Sequence, residues 1–284
     1  MKIKWYTFSL LVLAIVAIFS LSDAKNDAST AQVPSATPEV RVNIANDWLK
    51  GLNEVYLRTE DKEVSDQLLD IEKHGVIAIP KQNGMIPSRK LAANDFVIVP
   101  LVEVDKNISP WGDLFTSPSV ASYSGLDKIL LLKGGNPITP LYEGIVFAHE
   151  LKHRSFNPGG TSLDTPMNYC REEVIVHTFS NKLTLKIGGD AYQKLLDKRA
   201  EEWGVYFSDT KAKLSSAEDY LNDMEKIFGR SLSDAENEIR VPNFEIGAIY
   251  LAVDKYYTAG NKEEQKATLM CEMYKANGNA LPGE

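Results

Sequence analysis

The sequence predicts an α+β protein, with a small sheet packed on two helices in its first part and a mostly helical C-terminal part. Three observations carry this reading. Short runs of branched apolar residues bounded by turn residues occur between positions 75 and 133. Two long helical segments follow, each opened by Thr-Pro, at Thr139-Pro140 and Thr165-Pro166. Beyond Gly189 the apolar spacing is helical to the end of the chain.

Residues 42–59 and 60–73 have helical patterning, and His74 falls in the turn after them. Residues 75–80 (GVIAIP) and 96–104 read as strands. Residues 111–125, rich in Ser, Pro and Gly, read as a loop, and 128–133 (KILLLK) as a further strand. A helix is expected over 141–156: Thr139 caps it, Pro140 takes its first position, and Glu143 lies where the helix dipole favours an anion. Asn157-Pro158-Gly159-Gly160 ends it. Leu141, Ile145, Val146 and Ala148 make it a core helix. The second helix spans 167–187 and closes at Gly188-Gly189. Asp190 and Ser215 read as caps, with Glu218 completing a capping box on Ser215, and 243–257 and 262–275 read as the last helices.

The core helix carries His149-Glu150-Leu151-Lys152-His153. At helical spacing, positions i and i+4 share a face, so both imidazoles can reach one tetrahedral metal. Glu150 flanks that face, displaced from the ligand position but able to serve as general base toward a metal-bound water, which is the chemistry of an H-E-x-x-H helix. A polar triplet on a buried helix needs a partner, and one zinc ion would supply it. Catalytic zinc takes three protein groups, so a third ligand is expected downstream. The second helix offers Cys170-Arg171-Glu172-Glu173-Val174-Ile175-Val176-His177. Either glutamate can complete the set, ahead of Cys170 or His177.

This arrangement resembles the gluzincin class of zinc metallopeptidases. The pattern Glu173-x-x-Val176-His177-x-Phe179-Ser180 is similar to the Glu-x-x-Ala-Asn-x-Phe-Ala of the small metallopeptidases that act on phage-type repressors and radiation-response regulators. The likeness covers residues 129–185, with Lys152 where those families carry Gly and His177 in place of Asn or Asp. It implies a zincin-like core with His149, His153 and Glu173 as metal ligands, Glu150 as catalytic base, and His177 available to hydrogen-bond a ligating histidine. It also makes strand 128–133 a candidate sheet edge for a peptide substrate, the alternative being a plain core strand.

At the other end, Met1-Lys2-Ile3-Lys4 is a short basic stretch, residues 5–21 are almost wholly apolar, and Ser22-Asp23-Ala24 suits a signal-peptidase site. Residues 1–24 are expected to direct export, either cleaved or kept as an N-terminal membrane anchor, which would be the chain's only membrane contact. Residues 25–40 read as a flexible linker. Residues 41–284 remain for folding, divided into 41–188 with the zinc site and a helical 189–284. A net charge of −8 without any dense Lys/Arg block argues against nucleic-acid partners. The two cysteines, Cys170 and Cys271, either pair or stand as separate thiols.

The expected function is an exported zinc-dependent metallopeptidase acting on peptides or proteins. The alternatives are an exported binding module that keeps a zincin-like fold without turnover, and a protein without metal whose histidines make ordinary hydrogen bonds.

Overall fold

The computed structural model describes residues 38–81, 84–102, 121–124, 127–133, 139–156, 165–209, 211–232, 234–276 and 281. The chain is α+β with a small mixed sheet. Helices α1 (Pro38–Thr59) and α2 (Lys62–His74) lead into strands β1 (Gly75–Lys81), β2 (Gly84–Pro87), β3 (Phe96–Val102), β4 (Ala121–Ser124) and β5 (Lys128–Lys133). Helices α3 (Pro140–Phe156), α4 (Pro166–Ser208), α5 (Leu221–Phe228), α6 (Asp234–Tyr256) and α7 (Lys262–Ala276) follow, with a 3₁₀ turn at Ala217–Tyr220 before α5.

The sheet order is β2-β1-β3-β5-β4. Strands β1, β3 and β5 are parallel, while β2 and β4 close the two edges antiparallel to their neighbours. Two sequence readings change here. The segment expected as a loop over 111–125 contains strand β4, and the rest of that segment lies outside the described residues. Strand β5, the candidate edge, is instead interior, paired with β3 through Val99↔Leu130 and with β4 through Ser122↔Leu130. Polar Ser122 is tolerated in β4 because β4 is an edge strand.

The sheet packs on α1 and α3. Trp48, Leu52 and Val55 of α1 are fully buried, and Trp48 meets Phe147 of α3 edge-on at 6.2 Å between ring centres. The two helices cross with backbones in contact. A Cβ on Gly144 would lie 2.7 Å from the Leu52 nitrogen and closer still to the Gly51 carbonyl, so both positions exclude any side chain. Residues 38–40, given to the linker by their composition, are already the first turn of α1, while the apolar stretch at residues 5–21 and the rest of the linker lie outside the described residues. Among the described residues no helix is long and apolar enough to cross a membrane.

The Thr165 cap forms as expected, its side chain accepting from the Asn168 amide. The Gly188-Gly189 stop becomes a kink. Gly189 adopts φ 59° and ψ −153°, after which α4 continues to Ser208. Ser216 and Asp219, one residue beyond the expected pair, make the capping box, because Ser215 instead donates to Glu202 at 2.9 Å. One hydrophobic cluster runs from Ile44 on α1 through Phe147 and Leu183 to Met270 and Leu281, so residues 189–284 share their core with the sheet-bearing part. Cys170 of α4 and Cys271 of α7 form a disulfide, which settles the open alternative in favour of pairing.

Replacing Gly144 with Ala should lower unfolding free energy by about 3 kcal/mol or more, since backbone at a helix crossing has no rotamer with which to yield. Gly260→Ala, at a position with open surroundings, should change it by less than about 0.5 kcal/mol. Urea unfolding of both variants measures the contrast.

Asp61 supplies a second test. It caps α2 by accepting from the Glu63 amide at 3.0 Å, and it receives Lys186 at 2.8 Å and Lys182 at 2.9 Å, with its side chain 3% exposed. Burial pushes the carboxyl up, but the two lysines and the amide outweigh it and bring it from 3.8 to about 2. A carboxyl lowered on folding contributes stability that is present above about pH 4 and lost as the pH falls toward 2. Asp61→Asn should therefore be destabilising at neutral pH and lose that deficit progressively below pH 4, measured as unfolding midpoints across the acid range.

Candidate metal centre

Helices α3 and α4 meet so that four polar side chains, each helix giving an i, i+4 pair, point at one another: His149 and His153 from α3, Glu173 and His177 from α4. His149 Nε2 and His153 Nε2 are 3.2 Å apart. Glu173 Oε2 lies 3.5 Å from His153 Nε2 and 3.9 Å from His149 Nε2. Zinc bonds to nitrogen and oxygen of about 2.0–2.2 Å require ligand separations of roughly 3.3–3.6 Å at the edges of a tetrahedron. The three donor separations, 3.2, 3.5 and 3.9 Å, bracket that size. His177 Nε2 is 3.6 Å from the same Glu173 oxygen, and His149, Glu173 and His177 present donor atoms within 4.8 Å of one another, close enough to hold a metal ion.

The donor chemistry fits a cation. Glu173 is 3% exposed, and among the described residues its Oε2 makes no hydrogen bond, a costly condition for a buried carboxylate oxygen. Three carboxylates, those of Glu150, Glu172 and Glu173, surround imidazoles that are neutral in their metal-binding form, and a divalent ion offsets most of that charge. Without an ion, the 3.2 Å contact between the two Nε2 atoms allows one ring to donate to the other, which is the hydrogen-bonded alternative.

The far sides of the rings are held as well. His149 Nδ1 lies 3.0 Å from Ser180 Oγ, and His153 Nδ1 lies 2.8 Å from Glu172 Oε1. Both contacts turn Nε2 toward the common point. Adjacent helical residues point about 100° apart, which sends Glu172 to the outer nitrogen of His153 while Glu173 faces its inner one. One reading from the sequence changes with this geometry. His177 was assigned to orienting a ligating histidine. Ser180 and Glu172 occupy those positions, and His177 turns its Nε2 inward toward Glu173.

Glu150 is 7% exposed and accepts a hydrogen bond from the Tyr123 backbone amide of β4 at 2.6 Å. Burial pushes its carboxyl up to about 7, with Glu173 adding to the rise and His153 and the Tyr123 amide opposing it. Burial lowers His149 well below the usual imidazole range, and the neighbouring His177 and His153 act in the same direction. For His153 burial also acts downward, but Glu173 and Glu172 outweigh it and raise the ring to about 10. On the α7 side, the phenols of Tyr169 and Tyr274 interact with Glu173 and with each other, their rings edge-on at 5.3 Å. Burial raises both phenols, and Glu173 adds to the rise, so both stay protonated.

Comparison with known protein families, curated proteins and solved structures gives no match. The centre therefore has to be judged on its own geometry.

Sequence reasoning missed Tyr123, whose contribution is a main-chain amide, and Tyr274, which α7 brings in from 101 residues beyond Glu173. A signal for the second existed in the pair Cys170/Cys271, three residues before Glu173 and three before Tyr274. With zinc titrated against a competing chelator, Glu173→Ala should abolish tight binding. Glu172→Ala should weaken it by roughly 10–100-fold, the usual cost of losing the group that orients a ligating histidine.

Proposed function

We propose that the protein is an exported zinc-dependent metallopeptidase in which His149, His153 and Glu173 hold one zinc ion and Glu150 is the catalytic base. The single observation that supports this most is the convergence of three donor atoms at 3.2, 3.5 and 3.9 Å beside the buried Glu150 carboxylate. When bound, zinc supplies Lewis acidity toward the scissile carbonyl and acidifies a water for attack. Glu150 accepts that water's proton and passes it to the departing amine. The Tyr123 amide fixes one of its carboxylate oxygens, so the other is oriented before substrate arrives.

The edge strand supports a peptide substrate. β4 pairs with β5 on one side, and its Tyr123 amide reaches Glu150 on the other. In this reading an extended peptide adds to the outer side of β4 and lies with a carbonyl over the centre. This takes the place of β5, the candidate edge, which is the core strand of the sequence's other reading. The gluzincin kinship suggested by the two helix patterns belongs to the same proposal, as does export through residues 1–24. The Cys170–Cys271 disulfide supports an oxidising compartment.

A peptide-library digest by the zinc-loaded protein, with and without chelator, tests the reading directly. Glu150→Gln should keep zinc bound while lowering kcat/KM by at least about 100-fold, because an amide cannot take the proton. Undiminished hydrolysis by that variant would remove Glu150 from the chemistry.

A further inference from the structure

We infer that His177 is a fourth protein ligand of the metal, an inference that rests on the zinc reading of the centre. The ring stands to Glu173 as His153 stands to His149, four residues along the same helix and facing the same point. Its Nε2 lies 3.6 Å from Glu173 Oε2, within the spread of the separations among the other three donors. Its ring centre is 4.7 Å from that of His149, against 4.9 Å between His149 and His153, so His149 has an imidazole at similar distance from each helix, and His149, Glu173 and His177 present donor atoms within 4.8 Å of one another.

The other role open to a polar residue at this position is to orient a ligating histidine through that histidine's outer nitrogen. Both outer nitrogens are already engaged, by Ser180 and by Glu172. From α6 the Asn243 side chain interacts with the His177 ring, whose buried Nδ1 makes no hydrogen bond among the described residues. Two i, i+4 pairs on crossing helices, His149/His153 and Glu173/His177, thus form a cage of four donors.

A cage of three imidazoles and one carboxylate has a chemical consequence. The fourth position of a three-ligand zinc centre belongs to the hydrolytic water. Here an imidazole holds it, so the centre at rest is closed by protein, and the His177 side chain has to withdraw before water and substrate can enter. Closure also implies tighter metal retention than three ligands provide.

The test uses the full mature chain with Co(II) in place of zinc, since each coordinated imidazole that keeps its second N–H gives one exchangeable proton resonance strongly shifted by the cobalt. Three such resonances are expected, falling to two in His177→Asn, together with at least a roughly tenfold loss of affinity in chelator competition. Two resonances in the unaltered protein, unchanged in the variant, would overturn the fourth ligand and leave the three-ligand zinc reading standing. No shifted resonance at all would overturn both. Should the variant fail to fold, the count in the unaltered protein decides alone.

Discussion

The contact between α3 and α4 is the constraint on which the rest of the molecule depends, because it buries Glu150, His153 and Glu173 where an apolar core would otherwise be. Isolated buried carboxylates and imidazoles are costly, and an ordinary helix pair would fill that seam with leucine and alanine. The surrounding structure is arranged to meet the demand. Glu172 and Ser180 take the outer ring nitrogens, the Tyr123 amide takes Glu150, and the Tyr169–Tyr274 pair takes Glu173. These partners come from a strand and two helices, so moving any one element exposes an unsatisfied group in the seam.

Lys152 and Arg154 of the motif helix tie its back to α2 and the sheet. Lys152 pairs with Glu63, and Arg154 pairs with Asp70 while lying 4.0 Å over the ring of Phe96 in β3. Gln67 donates to the Ala148 carbonyl at 3.0 Å. With α1 locked against α3 at Gly51 and Gly144, the motif helix is held on both flanks and has little freedom to rotate its two histidines out of register. A polar cluster on such a support is positioned by packing, as a site on rigid elements should be.

How much of this the sequence disclosed depends on which physical signal carried each element. Helices α3 and α4 were legible because their apolar periodicity, Thr-Pro starts and histidine spacing agree. The interior strands β1, β3 and β5 were legible as branched apolar runs. β4 was not: Ala121-Ser122-Tyr123-Ser124 has the composition of a loop and is a strand only because β5 offers it a ladder. The boundary at Gly189 was seen but misjudged, since a glycine that permits a stop also permits a kink when both halves have cores to join. In the site, positions i and i+4 placed His149 and His153 side by side, and Glu173 was selected only by the resemblance of the second-helix pattern. Spacing within one helix is blind to what a second helix presents, so the partners Ser180 and Glu172 and the inward turn of His177 emerged only from the crossing itself. Sequence separation hid Tyr274, whose only signal was the pair Cys170/Cys271.

The bond between Cys170 and Cys271 closes more than a third of the chain into a covalent ring that contains Glu173, His177 and the kinked length of α4. A single backbone cut in that ring, at the turn before α5 or beyond Gly229, would leave one molecule rather than two fragments. The tyrosine that meets Glu173 would remain tethered beside it. For a chain exposed to proteases, such a topology separates being nicked from being dismantled, and it places the divide at the helix that carries the buried Glu173.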